Sequence, residues 1–205
     1  MEKIKNKNND ILRKAKFREE WNLMISYVIW DLGETISTPP TGGMDLKPLD
    51  EYTDIKLRDG VNETIQKISY MGLGQAVLSN TANSDSEAVG RMLRRLGVID
   101  QFDYIFATNS ELDDSKPEKP DRVVYEKTLN VLNIKANEAV MVGNTWDTDV
   151  IGANRSGIHA IWLQNPLVSF RKDWDTKVIA PPWIIPVWDV KAIPEAIATL
   201  NNTLT

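Results

Sequence analysis

Cysteine is absent from the 205 residues, and histidine occurs once, at His159. The first absence removes disulfides, thiolate metal sites and a cysteine nucleophile. The second removes any centre built from several imidazoles and disfavours a Ser-His-Asp triad. No run approaches the roughly 20 apolar residues that cross a bilayer. The polar, Lys- and Asn-rich opening Met1–Asn9 also lacks the apolar core of a secretory signal. Nor is positive charge in excess: 24 Lys and Arg face 29 Asp and Glu, a net charge of -5, which argues against a general nucleic-acid binder. What remains for chemistry is carboxylate, lysine, hydroxyl and metal. Composition predicts a cytoplasmic globular protein without a membrane or nucleic-acid partner, long enough for one domain with a full core.

Short apolar runs alternate with helical patterns along most of the chain. Strands are expected over residues 27–30, 76–78, 104–106, 139–142 and 160–163, with an edge strand over 184–187. Helices are expected over 61–71, 84–96, 123–132 and 150–156, and a short one over 194–200 carries Pro194 in its first turn. This alternation builds right-handed βαβ units and predicts an α/β fold with a doubly wound parallel sheet. Residues 1–24 read as an N-terminal extension, a weakly amphipathic surface helix, with Met24 as an alternative start directly before the first strand. Residues 25–205 form the domain. Within it, residues 36–57 break the pattern: Thr38-Pro39-Pro40-Thr41-Gly42-Gly43 is turn chemistry. A connection of that length is expected to be a functional flap or a small hairpin, and it is too short for a helical cap.

Four segments place chemistry-bearing residues after predicted strands. In Tyr27-Val28-Ile29-Trp30-Asp31-Leu32-Gly33-Glu34-Thr35, an apolar run ends at a carboxylate, where open α/β sheets bind their ligands. Val77-Leu78-Ser79-Asn80-Thr81 ends a strand in a hydroxyl residue. Glu118-Lys119-Pro120-Asp121 precedes a helix that Asp121 can cap, and Pro120 keeps Lys119 out of the α region. Val140-Met141-Val142-Gly143-Asn144-Thr145-Trp146-Asp147-Thr148-Asp149 ends a strand in Gly and Asn and delivers two further carboxylates. Each alone is ordinary cap, loop or solvated-surface chemistry. Their joint occurrence in this order is what carries meaning.

Together the four segments resemble the motifs of the haloacid dehalogenase-like (HAD) superfamily, over about residues 25–165. The resemblance implies a Rossmann-like three-layer sandwich with a minimal cap, of the compact subfamily IIIA type. It also implies a phosphatase that uses Mg²⁺ and an aspartyl-phosphate on Asp31. On this likeness the catalytic residues are Asp31, Ser79 and Lys119. The substrate-binding residues are Thr35, Ser79, Asn80 and Lys119, and the metal ligands are Asp31, the Gly33 carbonyl, Asn144 and Asp149, with Asp147 as a further source of negative charge. The implied partner is a small phosphorylated substrate.

Two positions depart from the superfamily pattern. Gly33 stands where phosphatases carry a second Asp that protonates the leaving oxygen, a contribution of roughly 10²–10⁴-fold. Asn144 stands for the first Asp of the metal motif Gly-Asp-x-x-x-x-Asp. Slow hydrolysis is therefore expected, with Glu34 as a candidate replacement proton carrier if the turn redirects it from the far face. One alternative is a phospho-ligand-binding or regulatory domain with weak catalysis. Another is a dehalogenase-type hydrolase, suggested by the likeness of Asn144-Thr145-Trp146-Asp147 to the Asn-Ala-Trp-Asp of haloacid dehalogenases. The short connection after Asp31 and the retained Asp149 oppose it. Trp162, Trp183 and Trp188 are expected to pack the carboxyl-terminal layer, His159 to be structural, and Trp146 to be pocket wall or core. Pro181-Pro182 offers cover for a sheet edge or a homodimer surface.

Overall fold

The computed structural model describes residues 25–43, 47–109, 116–164 and 182–204. The expected helix in residues 1–24, and Pro181, lie outside them. Six parallel strands form one sheet: β1 Tyr27–Trp30, β2 Gly74–Ser79, β3 Tyr104–Ala107, β4 Ala139–Gly143, β5 His159–Leu163 and β6 Ile184–Val187. They lie in the order β3-β2-β1-β4-β5-β6. The helices are α1 Val61–Tyr70, α2 Ser86–Arg95, α3 Arg122–Leu132, α4 Gly152–Arg155 and α5 Ile193–Leu204. Predicted and observed elements agree to within a few residues, with one difference of kind. The expected helix over 150–156 begins earlier, as a π-helical turn over Trp146–Ile151 that runs into α4. No helix among the described residues is long and apolar enough to cross a membrane.

The sheet is buried on both faces, as its unbroken apolar runs require. Val28 and Trp30 face a core shared with α1, α2 and α5 through Ile65, Met92 and Ile197. Between them Ile29 points to the opposite side, against Val124, Tyr125 and Leu129 of α3 and Ala153 of α4. The period-two alternation of strand side chains thus divides one run between two helical layers. The chain winds outward from β1 to β2 and β3, then crosses back to β4 on the other flank of β1. The strand order reverses between β1 and β4, and at such a reversal the loops part and leave a crevice at the strands' carboxyl ends. Asp31 and Asn144 directly follow β1 and β4, one on each side of it.

The connection after β1 is pinned at its base. Ser37 bridges both Gly33 and Leu57, and the Thr38 and Arg58 N–H groups donate to Lys56 and Ile36 carbonyls at 2.9 and 3.0 Å. A short antiparallel stem therefore carries the expected flap, which also holds one 3-10 turn at Leu49–Glu51. At the start of β5, beside the β6 edge of the sheet, His159 is buried, and its Nδ1 accepts the Trp183 N–H at 3.0 Å. Burial holds the imidazole below its usual pKa, against a weaker opposing effect of the Asn137 backbone. That is the structural role expected of it. Trp188, expected in the carboxyl-terminal layer, instead lies 74 % exposed, and Trp183 is on the surface at 36 %. Apolar character alone does not specify burial beside an edge strand.

One polar group inside the larger core has every partner it needs. The Gln75 amide accepts the Trp30 indole N–H at 3.0 Å and donates to the Ile65 carbonyl at 3.0 Å and the Ser69 hydroxyl at 2.9 Å. Stranding a buried donor costs more than deleting both partners. Gln75→Leu should therefore lower unfolding free energy by about 1–3 kcal/mol in urea titrations. The Trp30→Phe/Gln75→Leu double variant should lose less than the sum of its single changes.

Candidate active site

The site is organised by Lys119. Asn80 fixes its backbone from both sides: the Lys119 N–H donates to Asn80 Oδ1, and Asn80 Nδ2 donates to the Lys119 carbonyl, each at 2.8 Å. The Lys119–Pro120 peptide is cis, and the Asp121 carboxylate caps α3 by accepting the Val123 N–H at 3.1 Å. The Lys119 side chain runs inward, 1 % exposed. Its three ammonium protons meet Asp31 Oδ1 at 2.8 Å, Asp149 Oδ1 at 2.7 Å and the Leu78 carbonyl at 2.9 Å. All its donor capacity is thereby used. Burial works to lower the lysine pKa, but the charges of Asp149 and Asp31 outweigh it and leave the pKa raised.

Asp31 projects from the end of the central strand, where its own N–H is held by the Val142 carbonyl at 2.8 Å. Its Oδ1 also accepts from the Ser79 hydroxyl at 3.2 Å. On the other side, the Thr35 hydroxyl lies 3.2 Å from Asp31 Oδ2 and 3.3 Å from Asn144 Oδ1, donating to one at a time. Asp149 is 1 % exposed and takes the Thr145 N–H on Oδ2 at 2.9 Å. Burial first, and then the Asp31 charge, push its carboxyl up to about 6 against the opposing pull of Lys119. Gly143 makes this packing possible, because a Cβ there would collide with the Asp149 carboxylate.

Asp31, Thr35, Ser79, Asn80, Lys119, Asn144 and Asp149 therefore meet at one place. Their postures differ from a simple ring of ligands. Thr35 is fully buried behind the carboxylate, and the Asn80 amide is occupied with the Lys119 backbone. Gly33 is exposed, and nothing lies within 4 Å of where its Cβ would be. Glu34 has a φ of 54°, is exposed, and is among the residues that line the cleft. Trp146 packs edge-on to Trp162 at 4.8 Å, while the Trp162 indole donates to the Asn144 carbonyl at 3.2 Å. The pair braces the Asn144 loop from behind.

Sequence reasoning passed over Tyr125. Its hydroxyl donates to the Thr148 carbonyl within the π-helical turn. Burial, and then the charges of Asp149 and Asp31, raise its pKa, so it stays a neutral donor. The signal available was only its place in the apolar stripe of α3. Outside Asp31 opens a cleft of about 510 Å³, lined by Gly33, Ser79, Asn80, Asn144 and Thr145 at the base and by Pro39, Pro40, Lys47, Leu49 and Ile55 from the flap. That volume suits a small organic ligand.

Among the described residues, no three His, Cys, Asp or Glu side chains are grouped closely enough to hold a metal by themselves. The donors that remain are the Asp31 carboxylate, the Asn144 amide oxygen and the Gly33 carbonyl, with Asp149 behind them. An all-oxygen set fits a hard divalent cation. Its low charge, with Asp149 already facing Lys119, fits modest affinity.

The sequence pattern of the haloacid dehalogenase-like hydrolase family matches residues 45–163. The chain belongs to that family. An uncharacterized protein from Listeria monocytogenes serotype 4b, known from its crystal structure, is 51% identical, with a TM-score of 0.81 over 87% of this chain and 99% of that one. A ribulose-1,5-bisphosphate 5-phosphatase from Halopiger xanaduensis is 29% identical over 108 residues, 53% of this chain and 42% of its own length. A glyceraldehyde 3-phosphate phosphatase from Methanothermobacter thermautotrophicus is 32% identical over 81 residues, 40% of this chain and 34% of its own. The chain thus spans less than half the length of these curated relatives.

Removing the central cation exposes what it offsets. In Lys119→Met, two buried carboxylates face each other without a counter-charge, and stability near neutral pH should fall by about 3–5 kcal/mol. The sign with pH follows from Asp149. Its folded-state pKa, already raised to about 6, would rise further. The folded state then holds its proton more tightly than the unfolded chain does, so stability is greatest in acid and is lost as pH rises. Urea titrations in EDTA should show the deficit of Lys119→Met shrinking from pH 8 to pH 5.

Proposed function

We propose that the protein hydrolyses phosphoric monoesters of small metabolites with the aid of Mg²⁺, through an aspartyl-phosphate on Asp31. The observation that carries this reading is the Asp31 carboxylate itself. It is held at the end of the central strand by Lys119, Ser79 and Thr35, beside a cleft of substrate size whose base is lined by its neighbours Gly33, Ser79 and Asn144. A carboxylate held in this way has its orientation fixed before the substrate arrives. The names of the curated relatives, phosphatases of small phosphorylated compounds, support the same substrate class. A cytoplasmic setting suits it.

Asp31, Asn144 and the Gly33 carbonyl would hold the cation, which supplies positive charge that lets two anions approach. The Asp31 carboxylate attacks phosphorus, the new P–O bond forms, and the ester P–O bond breaks with its electron pair on the leaving oxygen. Lys119 offsets negative charge beside the nucleophile, and the Ser79 hydroxyl steadies Asp31 Oδ1. Water then attacks phosphorus, the Asp31–phosphorus bond breaks, and inorganic phosphate leaves.

Gly33 provides no acid for the leaving oxygen. An alkoxide must take its proton from solvent or from Glu34 at the rim of the cleft, whereas an aryl oxide leaves unprotonated. A second reading, binding of a phosphorylated ligand with little turnover, is favoured by this missing acid and by the uncharged Asn144.

Leaving-group dependence tests the assignment. The protein with Mg²⁺ should hydrolyse p-nitrophenyl phosphate faster than glycerol phosphate, and Asp31→Asn should abolish both activities. Gly33→Asp starts from open space, since a Cβ added at Gly33 meets nothing within 4 Å. It should raise the rate on glycerol phosphate by about 10²-fold or more, while changing the aryl ester little. Equal rates for wild type and Asp31→Asn would overturn the mechanism. Ligand binding without turnover in wild type and Gly33→Asp alike would establish the binding reading instead.

A further inference from the structure

The outer half of the cleft carries a charge that the hydrolytic mechanism does not use. Lys47 lies on the flap and is the one Lys or Arg among the described residues that line the cleft. Its ammonium sits over the Tyr52 ring, 4.4 Å from the centroid, a contact that orients a cation without neutralising it. Neighbouring arginines are held differently. Arg91 pairs with Asp50 at 2.6 Å, Arg95 donates to three flap carbonyls, those of Tyr52, Thr53 and Ile55, and Arg58 donates to the Glu34 carbonyl. Asp54 feels the Lys47 charge, but its carboxylate is fully exposed and accepts the Thr41 N–H at 2.6 Å.

The base of the cleft has the opposite balance. Lys119 is enclosed between two carboxylates, leaving that cluster at one net negative charge, and Glu34 adds another at the rim. A ligand drawn in by fixed protein charge alone therefore meets attraction at Lys47 and not near Asp31. On the phosphatase reading, the phosphoryl group must occupy the base, so Lys47 faces the remote end of the substrate. The backbone that carries Lys47 is anchored to the cleft's opposite lip, because the Leu49 N–H donates to Ser84 Oγ at 2.8 Å. Apolar Pro39, Pro40 and Ile55 line the same cleft, and lower polarity strengthens a charge-assisted contact.

We propose that Lys47 recognises a second anionic group on the substrate, so that the preferred substrates are small phosphomonoesters bearing a carboxylate or another phosphate at the far end. This rests on the phosphatase reading and extends it to substrate class. The role is one of selectivity: Lys47 binds the end of the molecule that does not react.

Phosphoglycerate, propanediol bisphosphate and glycerol phosphate form a matched set with a remote carboxylate, a remote phosphate and neither. Wild type should favour one or both of the first two over glycerol phosphate by about tenfold or more in kcat/KM, and the favoured member identifies the anion. Lys47→Met should abolish that preference through KM with kcat retained, Lys47→Arg should restore part of it, and p-nitrophenyl phosphate should be hydrolysed equally by all three proteins. Absence of preference in wild type, or an equal loss on every substrate in Lys47→Met, would overturn the proposal. Should none of the esters turn over, the phosphatase reading fails. Calorimetric binding of the same three compounds to wild type and Lys47→Met then decides the role of Lys47: a difference confined to the doubly anionic ligands supports it, and equal binding refutes it.

Discussion

An ammonium group enclosed by two carboxylates is the constraint around which the site is built. Lys119 donates one proton to Asp31, one to Asp149 and one to the Leu78 carbonyl, and so joins β1, β2 and the π-helical turn through a single nitrogen. Neither carboxylate could be buried in charged form without it. The surrounding structure serves the same end. Asn80 locks the lysine backbone, Gly143 leaves room for Asp149, and Tyr125 ties the turn that carries Asp149 to α3. The sheet contributes the rest by setting β1 between β2 and β4 in parallel register, so that Ser79, Asp31 and Asn144 emerge side by side.

Most of the fold was legible in the sequence because its strands are buried on both faces. Val28-Ile29-Trp30 and Val140-Met141-Val142 leave little choice but a central parallel sheet. The site residues could be named as well, since each follows a strand or precedes a capped helix. Their postures could not. Whether Asn80 faces a ligand or clamps a lysine, and whether Thr35 is in front of Asp31 or behind it, depends on contacts between segments some 40 to 110 positions apart. Trp188 was misread for a related reason, since an aromatic side chain near an edge strand packs only if something covers it. The π-helical turn left no mark in composition, and Lys47 belongs to no pattern at all.

The two departures from the superfamily pattern have different physical weight. At Gly33 the loss is a carboxylate, and a Cβ added there would meet nothing within 4 Å. At Asn144 the loss is one unit of charge, while the amide oxygen remains beside Thr35 and Asp31, braced by Trp162. On the proposed phosphatase chemistry, the first would affect the bond-breaking step for poor leaving groups, and the second how strongly a cation is held. Asp31 and its Lys119 counter-ion are untouched by either change.

The pinned stem of the flap has a consequence for how such a protein changes over generations. Ser37 and Leu57 close the stem, and Leu49, Tyr52 and Ile55 beyond it are held to the body of the domain by Ser84 and Arg95. The exposed turn over residues 41–43 can therefore drift while Asp31 stays where β1 puts it. Selection can act on one surface turn, and the buried cluster around Lys119 does not have to be rebuilt each time.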